Sequence, residues 1–390
     1  MDSSGARLDK FLMRKSNRKL VFSAIHRKGF LSRVQIANLT HMSLMTVGRI
    51  VDELVNIGIV VEEDSSDTTA TVGRRPKLLH VASDHFLSVG VEIDRDGIYA
   101  GIINLQGKVL KKLEYKDNYS GESAETVLKK VSEIIKQILS ENPELPVIHA
   151  VGVACPGLID DGVIRFSSQM KWKDVPAVDI LREYTGINDI FLDNEVKAHG
   201  MAEDMFGLAK GYKSSVVLTM GSGIGSSVLI NHKLYRGRLN MAGEIGHICI
   251  NPYGNMCECG KRGCLQTYMA DWAILREARM VQEDITIDGV FQAYSEGKAW
   301  AVDLIGRVME YLSITISILA STYSPDIIIL CGRLIEDHEV FRNLVEKQYR
   351  NATKDYMLDP FHVRVSDLGS DGTVVGAGTL AYYNMLDKIL

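Results

Sequence analysis

Hydrophobic positions recur at helical spacing three times in the first sixty residues. The stretch Asn17–Lys28 puts Leu20, Val21, Ala24 and Ile25 on one face. Ser32 is placed to cap a second helix, Arg33–Leu39, with Val34, Ile36 and Ala37 as its predicted buried face. Ser43 is placed to cap a third, Leu44–Ile57, where Val47, Ile50, Val51, Leu54 and Val55 repeat at helical intervals. The short turn Thr40-His41-Met42 separates the last two. The period then changes to two in Ile59–Glu62 and Lys77–Val81, which flank a polar tip over 64–70 and read as a hairpin. Helix trios also occur in ordinary bundles, but a trio followed by a hairpin predicts a winged helix-turn-helix over residues 1–82.

From Phe86 onward, strand and helix patterns alternate. Leu87–Ile93, Ile98–Leu105 and Lys108–Tyr115 read as strands joined by turns, followed by an amphipathic helix Ala124–Ser140 and a buried strand Val147–Val153. A short strand Asp189–Leu192 precedes a helix Val196–Phe206. A second cycle opens with the hairpin Val216–Met220 and Gly225–Ile230. It continues through a long helix Ala299–Ala320, a strand Asp326–Leu330, a helix Glu339–Tyr349 and a closing helix Val375–Leu386. A β-β-β-α-β-α order appearing twice predicts two related lobes with a ligand cleft between them, over residues 83–390.

Composition adds two constraints. The 390 residues are 46% hydrophobic, enough for two or three globular units, no apolar run is expected to span a membrane, and the first residues lack the pattern of a signal peptide. Six cysteines without a disulfide framework point to the reducing cytoplasm. The net charge of −5 conceals an asymmetry: residues 1–80 carry 13 Lys/Arg against 8 Asp/Glu, or +5, and the remainder 31 against 41, or −10. A basic head on an acidic body fits a nucleic-acid-binding head, although solvated surface charge produces the same balance. Near the N-terminus of the third helix, Ser43, Thr46 and Arg49 are candidates for base edges and phosphates. In the segment Gly73-Arg74-Arg75-Pro76, Arg74 and Arg75 are candidates for a narrow A·T-rich minor groove, or else belong to a solvated linker.

The most specific chemistry lies between Glu244 and Cys264. Cys257, Cys259 and Cys264 fall within eight positions, and His247 stands ten residues upstream of the first. Three thiolates and an imidazole suit Zn2+ in a closed, structural site over 247–264; a reactive thiol pair or simply buried thiols are the alternatives. Glu244, three residues before His247, would be held rigid by such a site. Asp193-Asn194-Glu195 stands at a predicted strand-to-helix junction, where side chains bind hydroxyls in α/β folds or merely cap the helix. Gly221-x-Gly223-x-Gly225 has the look of a phosphate loop, but turns use the same residues.

Taken in order, Pro156-Gly157, Trp172, Asn194-Glu195, Glu203, Gly221-x-Gly223-x-Gly225, Gly243-Glu244-Ile245-Gly246-His247 and Cys257-x-Cys259-Gly260-x-x-Gly263-Cys264 resemble the ROK family of sugar kinases and repressors. The resemblance runs from about Phe86 to the C-terminus. It implies a two-lobed actin-like, hexokinase-like (ribonuclease H-like) α/β fold, a structural zinc, a monosaccharide in the cleft, and homodimers or homotetramers. It places the sugar against Gln169, Asn194, Glu195, Glu244, His247 and Gln266. Three departures separate the chain from the family's kinases. Their Asp-x-Gly-Gly-Thr phosphate loop is replaced by Asp94-Arg95-Asp96-Gly97-Ile98, their Asn-Asp by Asn194-Glu195, and their adenosine-side Gly-Gly by Cys331-Gly332. Gln266 stands where the family usually has Glu, and Gln169 where it often has Asn.

The expectation is a sugar-responsive repressor of carbohydrate genes, without catalysis. It would bind double-stranded operator DNA as an oligomer and be relieved by a monosaccharide. The rivals are an ATP-dependent sugar kinase and a repressor governed by a protein partner.

Overall fold

Serine side chains set the first helices, as the patterning predicts. In the computed structural model, which describes residues 3–64, 77–146, 148–349 and 361–389, α1 (Ser3–Lys28) is followed by α2 (Arg33–Thr40) and α3 (Leu44–Ile57). Ser32 caps α2 in a reciprocal box with Gln35, and the Ser43 side chain accepts from the Thr46 amide to cap α3. An antiparallel hairpin, β1 (Val60–Asp64) and β2 (Lys77–Val81), completes this unit. The hairpin tip beyond Asp64, and with it Arg74 and Arg75, lies outside the described residues.

The buried face differs from expectation at two positions. Leu20 is 49% exposed and Val34 56% exposed. The packing stripe of α1 runs through Val21, Phe22 and Ile25, and each residue step turns the helix by about 100°, which swings Leu20 to its edge. The short α2 buries only Ile36, Ala37 and Thr40. Residues 1–82 do not close this core alone: Phe86, Leu105, Tyr382 and Leu386 from the rest of the chain complete it.

The first lobe contains β3 (Leu87–Asp94), β4 (Gly97–Ile103), β5 (Val109–Lys116), α4 (Ala124–Ser140), β6 (Ile148–Cys155), β7 (Leu158–Asp160), β8 (Val163–Ser167), β9 (Trp172–Val175), α5 (Ala177–Thr185) and β10 (Ile190–Asn194). After α6 (Glu195–Met205), the second contains β11 (Ser214–Met220), β12 (Ile224–Ile230), β13 (Lys233–Leu234), α7 (Gln266–Met269), α8 (Asp271–Ala278), α9 (Ile287–Ser295), α10 (Ala299–Tyr323), β14 (Ile327–Cys331), α11 (Arg333–Glu336), α12 (Glu339–Tyr349) and β15 (His362–Val365). The chain ends with α13 (Gly372–Ile389). The two main sheets have the strand orders β10-β6-β3-β4-β5 and β15-β14-β11-β12-β13. Each is an antiparallel meander of three strands extended by two parallel ones, so the two sheets repeat one another, although β13 and β15 of the second were not among the expected strands. The three-stranded sheet β7-β8-β9 and the helices α5 and α7 to α9 were not foreseen.

The length of α10 was not expected to matter for membranes. Among the described residues this helix alone is long and apolar enough to cross a membrane, although half of its most apolar window is buried inside the protein. Its outer face carries Asp303, Arg307 and Glu310, while Leu304, Ile305, Val308 and Leu312 pack into the second lobe's core. That is the pattern of an amphipathic core helix.

The closing helix α13 packs on β3, β6 and α6 at backbone range. A Cβ on Gly152 would lie 1.8 Å from the Ala377 carbonyl oxygen, and one on Gly376 1.9 Å from that of Ala198. Gly152→Ala is therefore expected to overpack this seam and cost about 3 kcal/mol. Thermal denaturation followed by circular dichroism measures the loss; an unchanged midpoint would show that the seam yields.

A candidate ligand cleft beside a cysteine cluster

The carboxyl ends of the parallel strands in both sheets converge, which is where open α/β sheets bind ligands. Asp94, Asn194, Met220 and Cys331 end β3, β10, β11 and β14. The resulting cleft has a volume of about 390 Å³, and Gln169, Asn194, Glu195, Glu244, His247 and Gln266 all line it. Six residues spread over almost a hundred positions are thus brought to one space large enough for a monosaccharide.

Asn194 both caps a helix and faces the cleft. Its Oδ1 accepts from the amides of Val196 (3.0 Å) and Lys197 (3.2 Å), and its Nδ2 donates to Gly157 O (3.2 Å) and Glu195 Oε2 (2.6 Å). Asp193 does not reach the cleft. It is bound by Arg236 at 2.6 Å and by Asn240 at 3.2 Å, because alternate residues of a strand point to opposite faces. Burial, reinforced by Glu244 and Asp94, raises the Glu195 carboxyl well above the usual range. Burial also raises Glu244, with Lys197 acting against it. Carboxylate oxygens here are placed to accept hydrogen bonds from hydroxyl groups in the cleft.

The cysteine segment forms the adjoining wall. The Cys257 Sγ lies 3.6 Å from His247 Nδ1 and accepts from Gln266 Nε2 at 3.4 Å, while Cys259 and Cys264 bring their sulfurs to 3.7 Å. The ligand atoms of His247, Cys257, Cys259 and Cys264 all lie within 4.8 Å of one another, so the four could hold a metal ion. His247 and Gln266 therefore belong to both features.

Across the cleft, the lobes are joined by polar and charged contacts. Ser222, in the glycine-rich turn between β11 and β12, donates to Asp94 Oδ1 at 2.8 Å and to Gln169 Oε1 at 3.3 Å. Arg95 forms a two-pronged pair with Glu258 of the cysteine segment, at 2.9 and 3.1 Å. Arg333 is a cleft residue that the sequence patterning missed. Its guanidinium lies 3.2 Å from Glu92 and 3.5 Å from Asp94, and stacks 3.7 Å from the Tyr99 ring centroid. An arginine after a glycine carries no signal of its own, since its partners are about 240 residues away in sequence.

On the N-terminal unit, Ser43 and Arg49 are exposed and Thr46 is half-buried. The Ser43 and Thr46 hydroxyls lie 2.9 Å apart at the cap of α3. Arg27, at the end of α1, grips α6: it pairs with the Asp204 carboxylate and donates to the Asp204 carbonyl at 3.0 Å, and His232 lies 2.7 Å from the same carboxylate. One residue earlier, His26 contacts Leu105 O, and burial lowers its pKa to about 4.

The ROK family model matches residues 88–383, three quarters of the chain. The chain belongs to the ROK family. Over 384 residues this ROK protein is 26% identical to the xylose repressor of Bacillus subtilis, covering 98% of each chain. Its structure resembles a ROK family transcriptional regulator homologous to the Escherichia coli MLC protein, with a TM-score of 0.78, 22% identity, and coverage of 97% of this chain and 98% of the other. It also resembles a Streptomyces griseus ROK glucokinase solved with glucose and AMPPNP: TM-score 0.66, 24% identity, coverage 76% and 99%. The fold is the two-lobed α/β fold shared by ROK regulators and ROK kinases.

Burial drives the Glu92 carboxyl up to about 7 despite Arg333 beside it. A raised folded pKa gives a contribution to stability that is full below the unfolded value and is lost as pH rises through about 7. Above that pH the carboxylate depends on its arginine. Arg333→Met should therefore cost about 3 kcal/mol at pH 8, from an uncompensated buried charge, and clearly less at pH 5. Urea denaturation at both pH values checks this; an equal deficit at each would assign the loss to packing.

Proposed function

We propose that this ROK protein is a sugar-responsive transcriptional repressor of carbohydrate uptake or catabolism genes. The observation that carries the reading is the convergence of Gln169, Asn194, Glu195, Glu244, His247 and Gln266 on one cleft, in a chain similar to a xylose repressor over nearly its whole length. The three helices and hairpin of the N-terminal unit act as a winged helix-turn-helix. Its α3 enters the major groove through Ser43, Thr46 and Arg49, while Arg74 and Arg75 reach the adjacent minor groove. A homodimer or homotetramer would present two such heads to a palindromic operator.

The cleft is read as a sensor without phosphoryl transfer. Kinases need an open backbone cradle and bound metal at the transferred phosphate. Here Arg333 packs between Glu92, Asp94 and Tyr99, and Arg95 is drawn off to Glu258, which supports reading that side of the cleft as closed to ATP. The helix α6 offers the route from sugar to head. Glu195 at its start lines the cleft, and Asp204, nine residues or about 14 Å further on, holds Arg27 of α1. Sugar that draws Asn194 and Glu195 toward Glu244 would tilt α6 and with it the head. That shift requires the sugar to bind one lobe arrangement more tightly than the other.

Fluorescence anisotropy with labelled operator and a panel of xylose, glucose and N-acetylglucosamine tests the reading. One sugar should weaken operator binding by roughly 5- to 150-fold. Glu244→Gln should reduce the affinity for that sugar at least about tenfold with operator affinity unchanged, since its buried carboxyl is lost. Asp204→Asn should keep sugar binding but shrink the sugar's effect on the operator. Operator affinity indifferent to every sugar would refute induction, and sugar-dependent ATP consumption would favour the kinase.

The cysteine cluster is read as a structural zinc site. A tetrahedral centre with Zn–S bonds of about 2.3 Å separates neighbouring sulfurs by about 3.8 Å. The observed 3.7 Å between Cys259 and Cys264 fits that edge, as does the 3.6 Å from Cys257 to His247. Four protein ligands leave no open position, so the ion would hold His247 and Gln266 in place and not act on substrate. Cys257→Ser or exhaustive chelation should lower the melting temperature and weaken sugar binding together. If both survive metal removal, the cluster is not structural.

A further inference from the structure

A second group of metal-ligating side chains lies at the far end of the same cleft, separate from the cysteine segment. His199 sits on α6 one turn after Glu195, Cys331 ends β14, and Glu336 is on α11. Their ligand atoms all lie within 4.8 Å of one another. His199 is 2% exposed and Cys331 fully buried, whereas His199 and Glu336 both border the cleft, which gives an ion a way in. The His199 Nδ1 is 3.4 Å from Thr373 Oγ1, but its Nε2 is buried with no hydrogen-bond partner among the described residues. Leaving such a nitrogen without a partner is costly, and an imidazole placed that way is what a metal ion would satisfy. Glu203, one further turn along α6, brings a carboxylate oxygen to 3.8 Å from that nitrogen. Its two oxygens already accept from Ser366 and Leu208, but a carboxylate oxygen has a second lone pair.

We propose that His199, Cys331 and Glu336 form a second metal site, for Zn2+ or a similar borderline transition-metal ion. A mixed nitrogen, sulfur and oxygen donor set selects such ions over Mg2+ and Ca2+, which prefer oxygen alone. Three protein ligands leave a fourth position for Glu203 or for water from the cleft. The ion would tie α6 to the end of β14, and so fasten together the parts of the cleft that must move when a ligand enters. A histidine protonated between Glu203 and Glu336 is the competing arrangement, and it takes up no metal.

Full-length protein is stripped with chelator, reloaded with Zn2+, dialysed against metal-free buffer, and its metal counted by inductively coupled plasma mass spectrometry. His199→Asn and Glu336→Gln are compared with the parent after circular dichroism has shown them folded. Glu336→Gln keeps the acceptor that receives the Gly332 amide at 3.2 Å, so it preserves the backbone there. The expected result is two zinc ions per chain in the parent and one in each variant. A count that both variants leave unchanged overturns the proposal. A parent count of one that the variants abolish supports this site and places the failure at the cysteine cluster instead.

Discussion

The structure depends on how closely α13 can approach the strands and helix it crosses. Its backbone lies against β3, β6 and α6 at distances where a single added Cβ at Gly90, Gly152 or Gly376 would collide with a carbonyl oxygen. Backbone contact of this kind leaves little room to slide, because close-packed interiors transmit strain and do not absorb it. The consequence is that α6 and α13 sit as a rigid pair under the cleft. Thr373 at the start of α13 borders the cleft, while Tyr382 and Leu386 near its end pack into the core of the N-terminal unit. The ligand site and the head therefore share two helices.

That sharing gives the proposed regulation a physical basis. A head hung on a flexible tether would not register a change in the cleft. Here α1 is held by the Arg27–Asp204–His232 cluster and by His26, which is buried against Tyr382 and Tyr383 and kept neutral by its surroundings. The cleft itself is spanned by ionic and hydrogen-bonded contacts: Arg333 to Glu92 and Asp94, Ser222 to Asp94, and Arg95 to Glu258. Several of these involve groups that burial penalises in their charged form. Such contacts are sensitive to small displacements, which is a useful property at a hinge between two lobes.

The departure from a kinase-like site shows how pattern and structure divide the work. Bulk and charge alone led to the expectation that Asp94-Arg95-Asp96 would not cradle phosphates. The structure gives those residues other employment: Asp94 receives Ser222 and Arg333, and Arg95 reaches Glu258. It also shows that Asn194 is a helix cap and a cleft residue at once, so the choice between those readings was never exclusive.

Much of the fold was legible because it rests on local rules. Serine caps, period-two and helical spacing, and glycine turns placed the helices α2, α3 and α4 to within a residue, and suggested a doubled element order along the chain. The cysteine cluster was legible for the same reason, since its ligands lie close together in the chain. Exposure of Leu20 and Val34 was not, because helical spacing marks a stripe but not which edge of it meets a neighbour. For Asp193 the open choice between ligand binding and capping was decided by strand alternation, which turns it to Arg236 and Asn240. Arg333 against Glu92, Arg27 against Asp204, and His199 beside Cys331 were invisible, because these pairs join residues separated by more than a hundred positions. By itself the sequence determined many of the elements, the outline of the repeat and the clustering of metal-ligating side chains in the cysteine segment, all of which follow from neighbours along the chain. Only the tertiary structure decided which charges pair across the cleft and which helices lie between the cleft and the head, because those depend on distances that chain-local patterning does not encode.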